Sequence, residues 1–312
     1  MTDGNLQSFS PSAAMEYGLL INAAYSMAGD PNNLTPPCAQ LPPGFKFIAW
    51  VQMQDFILNS STWRFYGLIV QRTNDPTRFV LAIRGTEPTS LEEWIDDITS
   101  VASTPLPGFG NVGYGFNRIF ETMRVIEEGE STPTDLFAAA AKAMKPFTQQ
   151  VAETVQKHAI AAAPKAEDHA EAVAPTVTSV EVTGHSLGSA LATLYVAKNA
   201  NTADVHVPRI YTFASPLVGD STFVAAFDKL GADSWRIAIA RDIVTHLPTI
   251  GFAHVDKVEE LYSGKWVNKS VTCLHSMMTY LHLIHPAFPL DKGCAWDANA
   301  DVGPNIGGHA SA

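Results

Sequence analysis

The sequence is poor in charged side chains, and basic residues are the scarcer of the two signs. Charged residues make up 16% of the 312 positions, with 20 lysines and arginines against 31 acidic residues, for a formal net charge of −11. So few charges exclude a disordered chain kept in solution by its charge. We expect no nucleic acid partner, because such partners need a basic patch. Neutral or weakly polar ligands fit this balance.

Long apolar runs are also missing. No apolar stretch reaches the roughly 18 residues that a membrane-spanning helix needs, so we expect no transmembrane segment. The first residues, MTDGNLQSFSPSAAMEYG, lack the basic start and apolar run of a secretory signal. This start favours a cytoplasmic location.

Cysteine is sparse too, and it predicts no framework of disulfides. Cys38, Cys273 and Cys294 form an odd set, and no cysteine or histidine has the spacing of zinc ligands. One bridge between Cys273 and Cys294 and three free thiols fit the sequence equally well. The sequence implies no metal and no organic cofactor.

Hydrophobic residues, at 46%, suffice for a sizeable core, and they fall into alternating helix and strand patterns. Helices are predicted over 12–27 and, with small and apolar residues, over 186–200. The predicted strands cover 64–71, 78–84, 177–184, 206–216 and 235–242. This alternation predicts an α/β fold in one domain, 1–312, with a parallel or mixed sheet covered on both faces.

An alanine-rich segment at about 129–175 interrupts this alternation. Its helix propensity is high, but Pro146 and Pro164 should break or kink it. We predict two or three helices here, on the outside of the fold.

One glycine-rich turn carries a chemical signature. Gly184-His185-Ser186-Leu187-Gly188 matches G-x-S-x-G, with a predicted strand before it and a predicted helix after it. This setting is typical of a nucleophile elbow, a strained turn that lifts a serine hydroxyl above the sheet. The amide of Leu187 would then lie free at a helix N-terminus, where it can stabilise an oxyanion. An ordinary turn with a capping serine is the alternative.

A serine hydroxyl needs a base, and the base needs an acid to orient it. Asp242 ends the last predicted strand, at the edge where α/β sheets place their sites, whereas Asp220 and Asp228 are less directly placed. Spacing alone leaves three downstream histidines open as the base: His275, His282 and His285.

Six segments between Arg64 and His285 resemble, in order, those of the class 3 lipases. These are α/β hydrolases typified by fungal triacylglycerol lipases and plant phospholipase A1 enzymes. The segments are FVLAIRGTEPTSLEEWIDDI, GYGFNRIFETM, VTGHSLGSALATL, TFASPLVGDSTF, RDIVTHLP and LHSMMTYL. The first is similar to the family's strand, R-G-[ST] turn and lid helix, the third to its elbow, and the last two to the segments that carry its acid and histidine.

The resemblance implies residue roles. Ser186 would be the nucleophile, Asp242 the acid and His275 the base, with Thr86 and Leu187 forming the oxyanion hole. It implies an α/β-hydrolase fold, with a mostly parallel central sheet, helices on both faces and a lid helix.

The implied activity is hydrolysis of a carboxylic ester, a triacylglycerol or similar lipid, through an acyl-enzyme at a lipid–water interface. A phospholipase A1 and a short-chain or feruloyl esterase on the same scaffold are alternatives. A non-catalytic relative that binds a ligand or partner is the alternative from another class.

The segment expected to form the lid, about 86–105, has an amphipathic pattern. A fixed surface helix packed on the core would explain the same pattern, but the resemblance favours a movable lid over an acyl pocket. The apolar stripe is Leu91, Trp94, Ile95 and Ile98, and the acidic face is Glu92, Glu93, Asp96 and Asp97.

Overall fold

In a computed structural model of the chain, an eight-stranded sheet lies between two layers of helices. The structure describes residues 8–38, 40–55, 62–87, 91, 95, 102–130, 145–163, 178–202, 205–255 and 257–296. The strands are β1 Phe45–Asp55, β2 Thr62–Arg72, β3 Asp75–Ile83, β4 Ser103–Leu106, β5 Gly110–Gly113, β6 Arg124–Glu127, β7 Ser179–His185, β8 Arg209–Phe213, β9 Asp233–Ile239 and β10 Lys257–Leu261. The helices are α1 Pro11–Met27, α2 Tyr114–Phe120, α3 Phe147–Ala162, α4 Leu187–Thr202, α5 Ser221–Phe227, α6 Val271–Leu274 and α7 Met277–Ile284. Two short 3₁₀ helices, Asp228–Leu230 and Ile243–His246, follow α5 and β9.

The main sheet has the strand order β10-β9-β8-β7-β3-β2-β1-β6, and β4 pairs with β5 in a separate small sheet. Neighbouring strands from β10 to β3 are parallel, whereas β2, β1 and β6 extend the sheet antiparallel. The connections explain this difference, because the turn at 73–74 is long enough only for a hairpin, while α4 provides a crossover from β7 to β8. The predicted, mostly parallel sheet is confirmed.

Apolar side chains fill both faces of the sheet, as predicted. Helices α1 and α7 cover one face, with Tyr17, Leu20 and Leu281 in a common cluster. Helices α2, α3, α4 and α5 cover the other face, where Val151 and Phe223 belong to a second cluster. The sheet therefore separates two cores, and the loops at its carboxyl edge are left free to build a site.

Helix α4 is buried along most of its length, which explains its small residues. A Cβ atom at Gly188 would lie 2.3 Å from the carbonyl oxygen of Ile83, so only glycine lets α4 approach β3 this closely. The close approach presses the first turn of α4 against the end of the parallel strands, directly after Ser186.

The predicted helices correspond to α1 and α4, and the predicted strands to β2, β3, β7, β8 and β9. Strands β1, β4, β5, β6 and β10 were not predicted. In β10 the sequence KVEEL is mostly exposed, and its charged residues are typical of an edge strand. Because β9 provides its hydrogen bonds, β10 needs no apolar pattern of its own.

One helix of the alanine-rich segment lies within the described residues. Helix α3 begins directly after Pro146 and ends with Ala163 as its C-cap, before Pro164. Its buried residues Val151, Val155 and Ala159 recur every four positions and face the core. The rest of the predicted helical segment, 131–144 and 164–177, lies outside the described residues.

Little of the predicted lid falls within the described residues. Leu91 is buried in the same cluster as Leu187, and Ile95 packs against that cluster. The other residues of the apolar stripe, Trp94 and Ile98, and the four acidic residues lie outside the described part of the chain, so the lid remains a prediction.

The cysteines form one disulfide. Cys273 is bonded to Cys294 across a Cα–Cα distance of 5.3 Å, and Cys38 is a free, partly buried thiol. Within the described ranges, no helix is long and apolar enough to cross a bilayer. The same residues contain no cluster of three or more histidine, cysteine or acidic side chains that could hold a metal.

Candidate active site

The backbone at Ser186 is strained. Its φ is +57°, in the left-handed region that residues other than glycine rarely adopt, between the end of β7 and the start of α4. A Cβ atom at Gly184 would lie 2.2 Å from the carbonyl oxygen of Gly188, so neither glycine can be enlarged. This is the strand-turn-helix geometry of a nucleophile elbow. Strain of this kind persists where the surrounding structure holds it, and that is common at active sites.

The structure brings His275 to the serine. Its Nε2 lies 2.7 Å from Ser186 Oγ. His275 is the C-cap of the short helix α6, which Ser270 caps at its N-terminus, and α7 begins after Ser276. The disulfide at Cys273 ties α6 to the chain near residue 294. The histidine is thus fixed between two capped helices.

Asp242 completes this row of hydrogen bonds. Its Oδ2 lies 2.8 Å from His275 Nδ1 and accepts a second bond of 2.8 Å from the Tyr280 hydroxyl. Its Oδ1 accepts from the amide of Val244 at 3.1 Å, because Asp242 is the N-cap of the 3₁₀ helix after β9. The carboxylate is 1% exposed, and these three donors compensate for the loss of water.

The rival residues lie elsewhere and have other partners. Asp220 caps α5 by accepting from the amide of Phe223, and Asp228 begins the 3₁₀ helix that follows. His282 Nδ1 bonds the carbonyl of Phe288, and His285 is the C-cap of α7. Among the candidates, the structure joins only Asp242 and His275 to Ser186.

Two groups are available to stabilise an oxyanion. Leu187 is the first residue of α4, and the amides of a first helical turn have no acceptor within the helix. Thr86 is buried, and its Oγ1 finds no hydrogen-bond partner in the described part of the chain. A Cβ atom at Gly85 would lie 2.7 Å from Ser186 Cβ, so the turn that carries Thr86 approaches the serine closely.

Two further residues hold this turn, and neither was predicted as a site residue. The hydroxyl of Tyr25, on α1, accepts a bond of 2.8 Å from the amide of Gly85 and lies 2.8 Å from His185 Nδ1. Arg84 donates to the carbonyls of Phe65 and Gly85. Tyr25 has no signal in the local sequence, because its partners lie 60 and 160 positions away.

His185 is a second buried histidine beside the site. Burial holds its pKa well below the ordinary value, and His275 lowers it further. The two rings are 4.9 Å apart. A neutral His185 places no positive charge next to His275, which is what a base that gains a proton needs.

Residues 80–252, more than half of the chain, match the family model described as Lipase (class 3). The chain belongs to the class 3 lipase family. The resemblance inferred from the sequence motifs is therefore confirmed.

The relatives of this class 3 lipase family member include curated plant proteins. Phospholipase A1-II 4 of Oryza sativa subsp. japonica is 33% identical over 136 residues, which are 40% of this chain and 34% of that protein. The chloroplastic phospholipase A1-Igamma3 of Arabidopsis thaliana is 29% identical over 34% of this chain and 26% of its own length. The match thus spans about a third of the length of the first relative and about a quarter of the second.

Solved structures share the fold. Lipase II from Rhizopus niveus is 23% identical, with a TM-score of 0.51 over 84% of this chain and 83% of that one. The native Rhizomucor miehei lipase propeptide complex is 19% identical, with a TM-score of 0.51 over 81% of this chain and 70% of that one. The α/β-hydrolase fold is confirmed.

Proposed function

We propose that this lipase family member hydrolyses carboxylic esters with Ser186 as its nucleophile. The observation that carries the proposal is the row of bonds from Ser186 Oγ to His275 Nε2, at 2.7 Å, and from His275 Nδ1 to Asp242 Oδ2, at 2.8 Å. A strained serine, an imidazole and a buried carboxylate in this order form the arrangement that activates a hydroxyl for acyl transfer.

The geometry supports a two-step reaction. His275 Nε2 takes the hydroxyl proton as Ser186 Oγ attacks the ester carbonyl carbon, and Asp242 stabilises the imidazolium that forms. The carbonyl electrons move to the oxygen, where the amide of Leu187 and the amide and hydroxyl of Thr86 stabilise it, each donor contributing about 3–4 kcal/mol. His275 then protonates the leaving alcohol. Water, deprotonated by His275, then attacks the acyl carbon. The bond from that carbon to Ser186 Oγ breaks, the carboxylic acid leaves, and His275 returns the proton to Oγ.

Acylglycerols or similar lipid esters are the substrates we propose. Family membership supports this substrate class, and so does the apolar surrounding of the site, where Leu91 and Leu187 belong to one cluster. Phospholipids are the second candidate, because the curated relatives above are phospholipases A1 by name. A protein that only binds a ligand would gain nothing from a buried carboxylate and imidazole beneath a strained serine.

A series of p-nitrophenyl esters of increasing acyl length, with wild type and Ser186→Ala, tests the proposal. We expect wild type to exceed the Ser186→Ala background with at least one acyl length. Failure to do so with any ester would refute the enzymatic function. Best activity on acetate or butyrate would indicate an esterase, and best activity on octanoate or longer chains a lipase. Release of the sn-1 acyl chain from phosphatidylcholine would favour a phospholipase A1.

A movable lid is also part of the proposal. Ser186 is 1% exposed, so an ester reaches its Oγ only when the residues above it move. Leu91, the first residue of the apolar stripe in the predicted lid, is buried in the same apolar cluster as Leu187. Activity should rise abruptly once the substrate exceeds its solubility limit. A smooth hyperbolic dependence on concentration would argue against the lid.

A further inference from the structure

Exposed apolar side chains are concentrated in one part of the chain. Among the described residues, most large apolar side chains with high exposure lie after residue 242. They are Ile243, Ile250, Val258, Tyr262, Trp266, Val271 and Trp296, whereas Tyr114 and Ile160 lie elsewhere. Trp266 is 77% exposed and Tyr262 is 72% exposed. Large aromatic rings left in water commonly mark a surface that is covered by something else.

A surface pocket of about 550 Å³ is lined by two of these rings, Tyr262 and Trp296, and by Lys265, the residue before Trp266. It is built where β9 ends, from the chain that follows β10 and from the segment beside the disulfide. Its lining includes Arg241, Lys265 and Lys269, together with Tyr262, Ser263 and Trp296. We call it the basic pocket. Arg241 immediately precedes Asp242, so the pocket lies at the same edge of the sheet as the candidate active site.

The three cations of the basic pocket have no carboxylate partner in the described ranges. Lys269 Nζ donates only to neutral oxygens, at Ser263 and Gly264, and Arg241 and Lys265 form no ion pair there. Burial lowers the pKa of Lys269, and the charge of Arg241 lowers it further.

Several cations elsewhere among the described residues are paired. Arg72 contacts two glutamates, Arg209 contacts Asp233, and Lys157 contacts Glu127. Three cations without a carboxylate partner around one pocket stand out in a chain of net charge −11. One acidic residue is near, because Tyr262 donates to Glu260, but Glu260 is not among the residues that line the pocket.

We propose that the basic pocket binds the phosphoryl group of an anionic lipid headgroup, while Tyr262, Trp266 and Trp296 lie in the headgroup layer. Arginine and lysine are suited to phosphate oxygens, arginine as a fork and lysine as a point charge. Tryptophan and tyrosine prefer the boundary between lipid and water. The rest of this acidic chain is repelled by an anionic surface, so the pocket selects the side that docks.

This inference rests on the proposed function for its biological meaning, since it names the surface on which a lipid ester would be met. Its test does not depend on hydrolysis. The Ser186→Ala variant is sedimented with vesicles of phosphatidylcholine alone and with vesicles of phosphatidylcholine mixed with phosphatidic acid. We expect tighter binding to the mixed vesicles.

Removing the cations should weaken this binding. Each lysine near an anionic surface accounts for about a fivefold change in affinity, so Lys265→Ala should cost about fivefold and Lys265→Ala/Lys269→Ala about 25-fold. Lys46→Ala is the matched control, because Lys46 is exposed on β1 near the opposite edge of the sheet. Its binding should equal that of the parent. If the double variant does not fold, as judged by its thermal midpoint, Lys265→Ala alone decides.

The contribution of the aromatic rings to vesicle binding can be measured separately from that of the lysines. Trp266→Ala should weaken binding to both kinds of vesicle, because the ring inserts whatever the headgroup charge. The proposal would be overturned if the parent bound both kinds of vesicle equally well, or if the lysine variants bound the mixed vesicles as tightly as the parent does. Calorimetric binding of inorganic phosphate without any vesicle binding would overturn it too, by assigning the pocket to a free anion.

The two proposals fail in different ways. If wild type hydrolyses no ester while Ser186→Ala still binds mixed vesicles through Lys265, the proposed function fails and the lipid site stands. If soluble esters are hydrolysed but the vesicles are not bound, the lipid site fails and the proposed function stands.

Discussion

Two hydrogen-bonded networks meet at Ser186, and they differ in the charge that they can hold. On one side, His275 is backed by the carboxylate of Asp242, which Tyr280 also contacts. On the other side, His185 is backed by the hydroxyl of Tyr25, which also holds the amide of Gly85. We call these the charged network and the neutral network.

The two histidines differ in their hydrogen-bond partner, which is Asp242 for His275 and Tyr25 for His185, but they are buried to a similar extent. His185 is 3% exposed and His275 is 5% exposed. A carboxylate favours the protonated imidazole, whereas a phenol offers no charge to balance it. The comparison shows how two identical side chains, 4.9 Å apart by ring centroid, can serve as a base and as a neutral support.

The largest loss of activity should come from removing the base of the charged network, His275. We expect His275→Ala to lower kcat by about 10⁶, as loss of one member of such a unit does elsewhere. His282→Ala is the control, because His282 bonds only the carbonyl of Phe288. Hydrolysis of a soluble p-nitrophenyl ester measures both. A loss of the same size from His185→Gln would erase the distinction between the networks.

Removing the charge of the acid, Asp242, should cause the second-largest loss of activity. Asp242→Asn keeps the size of the side chain but removes the charge that orients His275, so kcat should fall by about 10⁴. Asp220→Asn, at the N-cap of α5, makes the same chemical change outside the site and should leave kcat near wild type. Steady-state kinetics on one ester compares the two. If Asp242→Asn retained full activity, Asp242 would have no role in the reaction.

The unpartnered hydroxyl of Thr86 should matter in the transition state more than in substrate binding. We expect Thr86→Val to lower kcat about 10²-fold with KM little changed, the effect of losing one oxyanion donor. Thr86→Ser keeps the hydroxyl and should recover most of the activity. A rise in KM alone would place the threonine in substrate binding instead.

A substitution in the neutral network should lower activity less than one in the charged network. Tyr25→Phe removes the acceptor of the Gly85 amide and the partner of His185 Nδ1, leaving buried groups unsatisfied at about 1–3 kcal/mol of folding free energy. We expect kcat to fall about tenfold, since the Gly85–Thr86 turn loses its anchor. Tyr114→Phe, at an exposed tyrosine, should change neither quantity. Urea denaturation and ester kinetics measure them, and unchanged values for Tyr25→Phe would remove its positioning role.

The smallest effect concerns pH. Burial lowers the pKa of His185 and lowers that of His254 to about 4. An unfolded histidine gains a proton below about pH 6.5, while these two stay neutral in the folded chain. Unfolding therefore takes up protons, and stability should fall as the pH drops from about 6.5, by up to about 1.4 kcal/mol per pH unit for each histidine.

Urea midpoints at pH 7 and pH 5 check this dependence. His254→Gln should reduce the difference between the two midpoints by about half, since it removes one of the two histidines. Equal midpoints for wild type would mean that neither histidine is kept neutral by the fold.

Most of the fold could be read from local patterns, and the exceptions have physical causes. Buried strands such as β7 show themselves by their apolar residues, whereas β10 takes its hydrogen bonds from β9 and shows no such pattern. For the candidate site, Ser186 and Leu187 follow from five consecutive residues and Asp242 from its place after a strand. The base was left open among three histidines until family resemblance selected His275.

Neighbours in the chain were enough to specify the elbow, the helix starts and a parallel or mixed sheet, because turn sterics and hydrophobic periodicity act over a few residues. Packing alone joined Tyr25 to Gly85 and His185, settled the disulfide in favour of Cys273 and Cys294, and gathered Arg241, Lys265 and Lys269 around one pocket. These partners lie between four and 160 positions apart, and no pattern in the intervening residues encodes their distance in space. That distance is set by how the helices pack on the two faces of the sheet, which buries the two apolar clusters.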